Sequence, residues 1–156
     1  MTRRLLIAVL TLAAVLAGVA QASAHPLGNF TVNTYLRVEA SGGELYLRQV
    51  VDMAEIPAFR ERAAVDAAGG LEGYAASSAA TRAGEIAVTI DGRPHAVEPV
   101  SQAADWRPGQ GGLRVLRYAA WYRVTGAGGV AGGDHAVTVA STSFAGRVGW
   151  HELVVR

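Results

Sequence analysis

An apolar residue or threonine at every second position from Phe30 to Val38 is the feature that most limits how this chain can fold. The alternation gives the segment one apolar and one polar face, which is typical of a β-strand buried on one side. Ser41-Gly42-Gly43 follows as a turn signal, and Glu44 to Met53 is a second segment rich in apolar residues. Together the two segments predict a β-hairpin with a loop of about four residues.

The pattern then changes from a period of two to a helical one. Ile56, Phe59 and Ala63 are spaced three and four residues apart, which predicts a short amphipathic helix from Glu55 to Val65. A second short helix is predicted from Leu71 to Arg82. We therefore expect a helical insertion at about residues 55–82, directly after the second strand.

Short strand-like segments return after this insertion and continue along the rest of the chain. The predicted strands are Glu85–Ile90, the edge strand Arg93–Val100, Leu113–Thr125, His135–Ala140 and Arg147–Val155, with a loop at Asp105–Gly112. The apolar side changes at 115–116 in Leu113–Thr125, which indicates either a bulge or a strand buried on both sides. Many short strands with frequent turn signals predict a mainly β fold, namely an antiparallel, Ig-like β-sandwich with the helical insertion. The tryptophans Trp106, Trp121 and Trp150 are expected in or over its core.

The first 24 residues have the three parts of a secretory signal peptide. Arg3 and Arg4 precede an uncharged apolar run, and Ala22-Ser23-Ala24 has the small-x-small form of a cleavage site. The alternative is an uncleaved membrane anchor, but the run of 16 residues at 5–20 is shorter than the roughly 20 that span a bilayer. We expect cleavage before His25, and a single domain, 25–156, in the periplasm or on the outer face of the cytoplasmic membrane.

Charge and cysteine content exclude several classes of function. Of the 14 basic residues, Arg3 and Arg4 belong to the predicted signal, which leaves 12 against 13 acidic residues and no basic block. A nucleic-acid partner is therefore not expected. The chain has no cysteine, which excludes thiolate metal sites, cysteine nucleophiles and a disulfide-linked partner.

No pattern in the sequence predicts an enzyme active site. The G-x-S-x-G motif of a serine hydrolase is absent. Asp52 and Glu55 are close enough in sequence to pair as acid and base, but such residues more often cap the helix that follows, since negative charge is favourable near a helix N-terminus. We therefore expect that the protein is not an enzyme.

The candidate metal ligands are the four histidines His25, His95, His135 and His151. No two of them have the short spacing of a metal-binding motif. His25 is distinctive because cleavage would place a free amine and an imidazole on one residue, a chelating pair suited to copper or nickel. The other three are conceivable further ligands, although each is also an ordinary residue for a strand or its end.

Three stretches, taken in order, carry a resemblance to a known family. They are His25–Asn33 (HPLGNFTVN), Val50–Pro57 (VVDMAEIP) and Phe144–Glu152 (FAGRVGWHE). Together they resemble the extracytoplasmic N-terminal domain of bacterial nickel/cobalt transporter (high-affinity nickel-transport) family proteins. The resemblance covers essentially the whole predicted mature chain, and it implies a role in nickel or cobalt ion transport beside a membrane permease domain or subunit.

The chain departs from that family in two places. The permease and its metal-transport residues have no counterpart in these 156 residues, and the acidic loop that follows the first helix in family members here reads Asp66-Ala67-Ala68-Gly69-Gly70. Two other hypotheses remain open: a stand-alone periplasmic module that binds copper or nickel through His25, and an interaction domain without a ligand. For the latter, Leu45–Val51 is the candidate edge strand, and Arg147 with Trp150 is expected to form a structural corner.

Overall fold

The structure is a computed structural model that describes residues 28–126, 130 and 132–156, so the predicted signal peptide and His25 lie outside the described residues. Two α-helices, α1 (Glu55–Ala67) and α2 (Leu71–Ala83), lie between the second and third strands, as the sequence predicts. The strands are β1 (Val32–Ser41), β2 (Glu44–Met53), β3 (Ile86–Ile90), β4 (Arg93–His95), β5 (Val97–Pro108), β6 (Arg114–Val124), β7 (Val137–Ser141) and β8 (His151–Val155). Short 3-10 turns occupy Gly28–Phe30 and Gln110–Gly112.

The strands form two sheets, which confirms the predicted mainly β, sandwich-like fold with a helical insertion. The larger sheet has the order β5-β6-β2-β1-β8, and the smaller one has the order β4-β3-β7. All pairs are antiparallel except β1 and β8, which run parallel. That pair corrects the wholly antiparallel prediction: the chain comes back from the small sheet and enters β8 at the end where β1 begins.

The core lies on one face of the larger sheet. The alternation in β1 and β2 places their apolar residues on this face, and β6 adds Leu116, Tyr118 and Tyr122. Buried residues of both helices and of β3 belong to the same apolar cluster. The two helices and the small sheet therefore cover the same face of the larger sheet, and the helical insertion is part of the main core.

Three buried polar side chains are linked by hydrogen bonds within this core. The hydroxyl groups of Tyr118 and Tyr122 are 2.8 Å apart, and Tyr122 donates to Oε1 of Gln49 at 3.4 Å. Residues 118 and 122 point to the same face because side chains alternate along a strand. The hydrogen bonds satisfy polar groups that would otherwise be costly to bury.

The region from 93 to 112 differs most from its prediction. Arg93–Val100 is not one strand, because the chain leaves the small sheet after His95 and begins β5 in the larger sheet at Val97. β5 continues to Pro108, so half of the predicted loop 105–112 is a strand. Trp106 explains this extension, since it packs against the core opposite Leu116.

Two further details of the strand prediction are wrong. β6 pairs in unbroken register with β2, and the irregularity lies on β5 between Pro99 and Ser101, where proline cannot donate to the ladder. Leu45–Val51 is not an edge strand, because β2 is hydrogen-bonded on both sides, to β1 and β6. Among the described residues, the free edges of the larger sheet are β5 and β8.

Both α-helices have 13 residues. Within residues 28–126, 130 and 132–156, no helix combines the length and apolar character needed to cross a membrane.

Alkaline pH is expected to destabilise the fold through its buried tyrosines. Burial raises the pKa of the Tyr74 hydroxyl to about 12, helped by its hydrogen bond to Glu61, and burial also raises the pKa of Tyr118 and Tyr122. The unfolded chain ionises near pH 10, so stability is complete below that pH and falls as pH rises towards 12. At pH 11, Tyr74 alone should remove about 1.4 kcal/mol.

Urea unfolding at intervals from pH 8 to pH 11 measures this loss, and a Tyr74→Phe variant is its control. The variant should show a shallower fall in the free energy of unfolding above pH 10, because it lacks one ionisable group. Equal slopes for the two proteins would contradict the assignment.

Candidate functional site

The three sequence stretches that carry the family resemblance meet at one end of the larger sheet. The backbone N–H of Val32 donates to the carbonyl of Val148 at 2.8 Å, and the N–H of Thr34 donates to that of Trp150 at 3.0 Å. From the second stretch, the N–H of Ala54 donates to the carbonyl of Thr31 at 2.9 Å. Segments far apart in sequence are thus joined by main-chain hydrogen bonds.

Gly149 makes this junction possible. Its φ is +152°, and a Cβ atom there would overlap the carbonyl oxygen of Val32 and lie 2.7 Å from its carbonyl carbon. Asn33 completes the contact, because its Oδ1 accepts the N–H of Trp150 at 3.2 Å. The close approach explains why the last motif contains a glycine directly before its tryptophan.

A small cleft of about 200 Å³ lies on the outside of this junction. It is lined by all three stretches and by the first turn of α1, and we call the lining the motif surface: Phe30, Ile56, Pro57, Arg60, Gly146, Arg147 and Val148. Phe30 and Val148 are each more than half exposed. Two further exposed aromatic residues lie close to it in the chain: Trp150, and Phe59, which is one helical turn from Ile56.

The charge of the motif surface is positive. Arg60 and Arg147 are both exposed on it. Two carboxylates of α1 have partners elsewhere: Glu55 is buried and accepts the N–H of Gln110 at 2.7 Å, and Glu61 accepts the hydroxyl of Tyr74 at 3.0 Å. Exposed apolar side chains and arginine side chains therefore lie next to each other on the motif surface.

The predicted corner at Arg147 and Trp150 is wrong in its details. Both side chains are exposed, and the corner is built instead by Gly149 and by the amide of Asn33. Trp150 is therefore not the core or cover residue that was expected. Trp121 also lies outside the core, on the other face of β6, against the guanidinium groups of Arg37 and Arg48. Sequence alone could not place Trp150, because its exposure depends on which strand lies beside it.

Asp52 and Glu55 each have a different partner in the structure. Asp52 lies 3.6 Å from the guanidinium of Arg117 on β6, while Glu55 is held by Gln110. Glu55 lies in the first turn of α1, where its negative charge is favourable as predicted, although the helix has no side-chain capping hydrogen bond.

Two of the four candidate histidines line a second cleft, of about 390 Å³, between β3, β4 and the start of β7. Nδ1 of His135 lies 2.8 Å from Oδ2 of Asp91, and Nδ1 of His95 lies 2.9 Å from the carbonyl oxygen of Thr125. Asp91 also accepts the N–H of Ala136 at 2.9 Å through Oδ1. The contacts of Asp91 thus link the turn after β3 to the segment that leads into β7.

His151 lies elsewhere, with Nδ1 2.7 Å from the hydroxyl of Thr34. The structure therefore brings His95 and His135 together but not His151, and His25 is outside the described residues. In the described part of the chain, no group of three or more His, Asp or Glu side chains is placed to hold a metal ion. Metal binding by these histidines stays a prediction.

The Asp91 carboxyl should titrate below the ordinary aspartate value of 3.8. Its hydrogen bonds from His135 and from the N–H of Ala136 stabilise the carboxylate and lower the pKa of Asp91. The contribution of this contact to stability is present above pH 3.8 and is lost as pH falls through the lowered pKa. NMR titration of the side-chain carboxyl carbon measures this value, and in a His135→Gln variant it should move back towards 3.8; no movement would contradict the assignment.

Comparison of the chain with profiles of protein families, with curated proteins and with solved structures finds no match.

Proposed function

We propose that this protein is an extracytoplasmic accessory domain of a nickel/cobalt transport system, and that it docks on a membrane permease through the motif surface. The observation that carries the proposal is the convergence of the three resembling stretches on one exposed surface. Phe30, Val148 and Trp150, which belong to these stretches, are exposed and so are accessible to a partner.

The composition of the motif surface suits a partner at a membrane. Phe30 and Val148 offer apolar area that is released from water on docking, which is the dominant favourable contribution to protein association. Arg60 and Arg147 offer charge to acidic side chains or headgroups beside that area. Aromatic residues and arginine are also the residues enriched in binding hot spots.

Site-specific photo-crosslinking tests the contact directly. The domain is co-produced with the nickel/cobalt permease of its own organism and carries a photoreactive phenylalanine analogue in place of Val148. A matched control carries the same group in place of Val100, which is equally exposed on the far edge strand β5. The proposal expects a crosslink to the permease from position 148 and none from position 100.

A functional readout accompanies the crosslink. The Val148→Asp variant places a charge in the apolar part of the motif surface without disturbing a buried residue, so the domain should fold normally. We expect cells with this variant to change their nickel or cobalt accumulation at least threefold, whereas Val100→Asp cells should match the wild type. Unchanged accumulation, together with no crosslink from position 148, would overturn the proposal.

A second candidate function is a stand-alone periplasmic module that binds copper or nickel. The supporting observation is that His95 and His135 line one cleft, in addition to the predicted N-terminal His25. Calorimetric titration with Cu(II) and Ni(II) is the test. Binding that disappears when one residue is added ahead of His25 would identify an N-terminal chelate; binding that disappears only in His95→Gln would identify the cleft; and no binding to the unaltered protein would exclude this function.

A further inference from the structure

The backbone of β8 has one side bonded to β1 and one side open. The N–H of Thr34 donates to the carbonyl of Trp150, and the N–H of Arg156 donates to the carbonyl of Val38. Because backbone groups alternate along a strand, residues 152 and 154 also face β1. The N–H and C=O groups of His151, Leu153 and Val155 therefore point away from the sheet, along an edge that no described strand covers.

The side chains of this edge are apolar and exposed. Val155 is 74% exposed and Leu153 is 46% exposed. Both line a groove of about 420 Å³ between β8 and β7, together with Val38, Leu45 and Val137. Natural sheets usually protect such an edge with proline, lysine or a bulge, and β8 (HELVV) has none of these.

We propose that β8 is a self-association edge, at which two copies of this protein pair their β8 strands antiparallel about a twofold axis through Leu153. In this register Leu153 faces its own symmetry mate and His151 faces Val155 of the second copy. The outward-facing N–H and C=O groups of one β8 strand then bond to those of the other. Each pair of facing residues exchanges two hydrogen bonds. The two five-stranded sheets become one continuous sheet.

A second copy fits this edge because the strand is complementary to itself. A twofold axis is the commonest symmetry of soluble oligomers, and it requires one patch to match its own image. On the inner face, Leu153 and Val155 would be covered by the same residues of the second copy. On the outer face, Glu152 would oppose Val154, and it would share a row across the strands with Arg37 of the second copy, since Arg37 pairs with Val154.

The small size of the contact between the two β8 strands limits the affinity of the dimer. β8 has five residues, so the pairing buries less area than a permanent dimer requires. We expect a reversible dimer with a dissociation constant in the roughly micromolar range. The motif surface lies at the end of the sheet where β1 and β8 begin, whereas the apolar part of the β8 edge lies towards their other end, so the two surfaces can be altered separately.

Sedimentation equilibrium of the purified protein from about 1 to 300 µM measures this association. Val155→Lys should weaken it roughly tenfold or more, because it places a charge beside the joined strands. Leu153→Pro should abolish it, because it removes an N–H that points outwards while leaving the hydrogen bonds to β1 in place. The matched control is Val100→Lys, a substitution at a 58% exposed valine on β5, the opposite edge strand of the same sheet, and it should leave the association unchanged.

Circular dichroism and urea unfolding show that each variant is folded before it is compared. A wild-type protein that stays monomeric up to 300 µM would overturn the proposal, as would a dimer that Val155→Lys leaves intact. Val148→Asp on the motif surface should not affect the dimer, so the failure of permease docking and the failure of edge pairing give different results.

Discussion

A Gly149→Ala variant is expected to lose about 3 kcal/mol or more of the free energy of unfolding. The new Cβ atom would overlap the backbone of Val32, and backbone, unlike the end of a long side chain, cannot move aside cheaply. The hydrogen bonds from Val32 and Thr34 to the 148–150 segment would weaken together with the entry into β8. Urea unfolding followed by circular dichroism measures the loss.

Gly146→Ala is the matched control for this prediction. Gly146 lies three residues earlier in the same loop and also has a positive φ, of +79°, but a Cβ atom there meets nothing within 4 Å. Its substitution should therefore cost only about 1 kcal/mol, from backbone strain alone. Equal losses for the two variants would show that contact with β1 is not the reason for the glycine at 149.

A Tyr122→Ala variant is expected to lose about 4 kcal/mol, because Tyr122 is fully buried and its removal leaves a large cavity. The cavity would lie in the main core beside β6, where the surrounding side chains can collapse only in part. The substitution also removes the hydroxyl that bonds Tyr118 and Gln49. Chemical unfolding at neutral pH is the measurement.

Tyr122→Phe separates packing from hydrogen bonding. It keeps the ring and removes only the hydroxyl, so the expected loss is about 1 to 2 kcal/mol. If Phe and Ala cost the same, the stability of this region would come from the hydroxyl chain and the cavity argument would fail.

The hairpin and the two helices could be predicted from sequence because their signals are local. The alternation in Val32–Val38 specifies which side of β1 is buried, whatever it pairs with. The spacing of Ile56 and Phe59 predicted that α1 is a helix but not which side is buried, because Phe59 is exposed and the buried residues include Ala58 and Val65. Both elements lie within a few residues of their predicted bounds.

The pairing partners could not be predicted, because they depend on residues far away in the chain. Nothing inside Leu45–Val51 shows that β6 will bond to its second side, and nothing in β8 alone shows that it will lie parallel to β1. The length of β5 had the same cause: Trp106 belongs to a strand only because Leu116 lies opposite it.

For the candidate sites, too, the sequence identified residues but not the contacts between them. Sequence identified the three stretches that form the motif surface, yet it could not show that they touch, since their contacts are hydrogen bonds between main-chain atoms. It also named the histidines, but which of them share a cleft was decided by the Asp91 turn and by the path of the chain into β7.

The parallel pairing of β1 with β8 has a consequence for how the polypeptide matures. Thr34 pairs with His151, which lies 117 positions later, so β1 cannot pair with β8 until His151 has been synthesised. Until β8 has been synthesised, the nascent chain holds a sheet in which one side of β1 has no partner strand. Such late closure slows folding and exposes the intermediate to proteases and to aggregation, so deletion of β8 should be far more harmful than its small loss of contacts suggests.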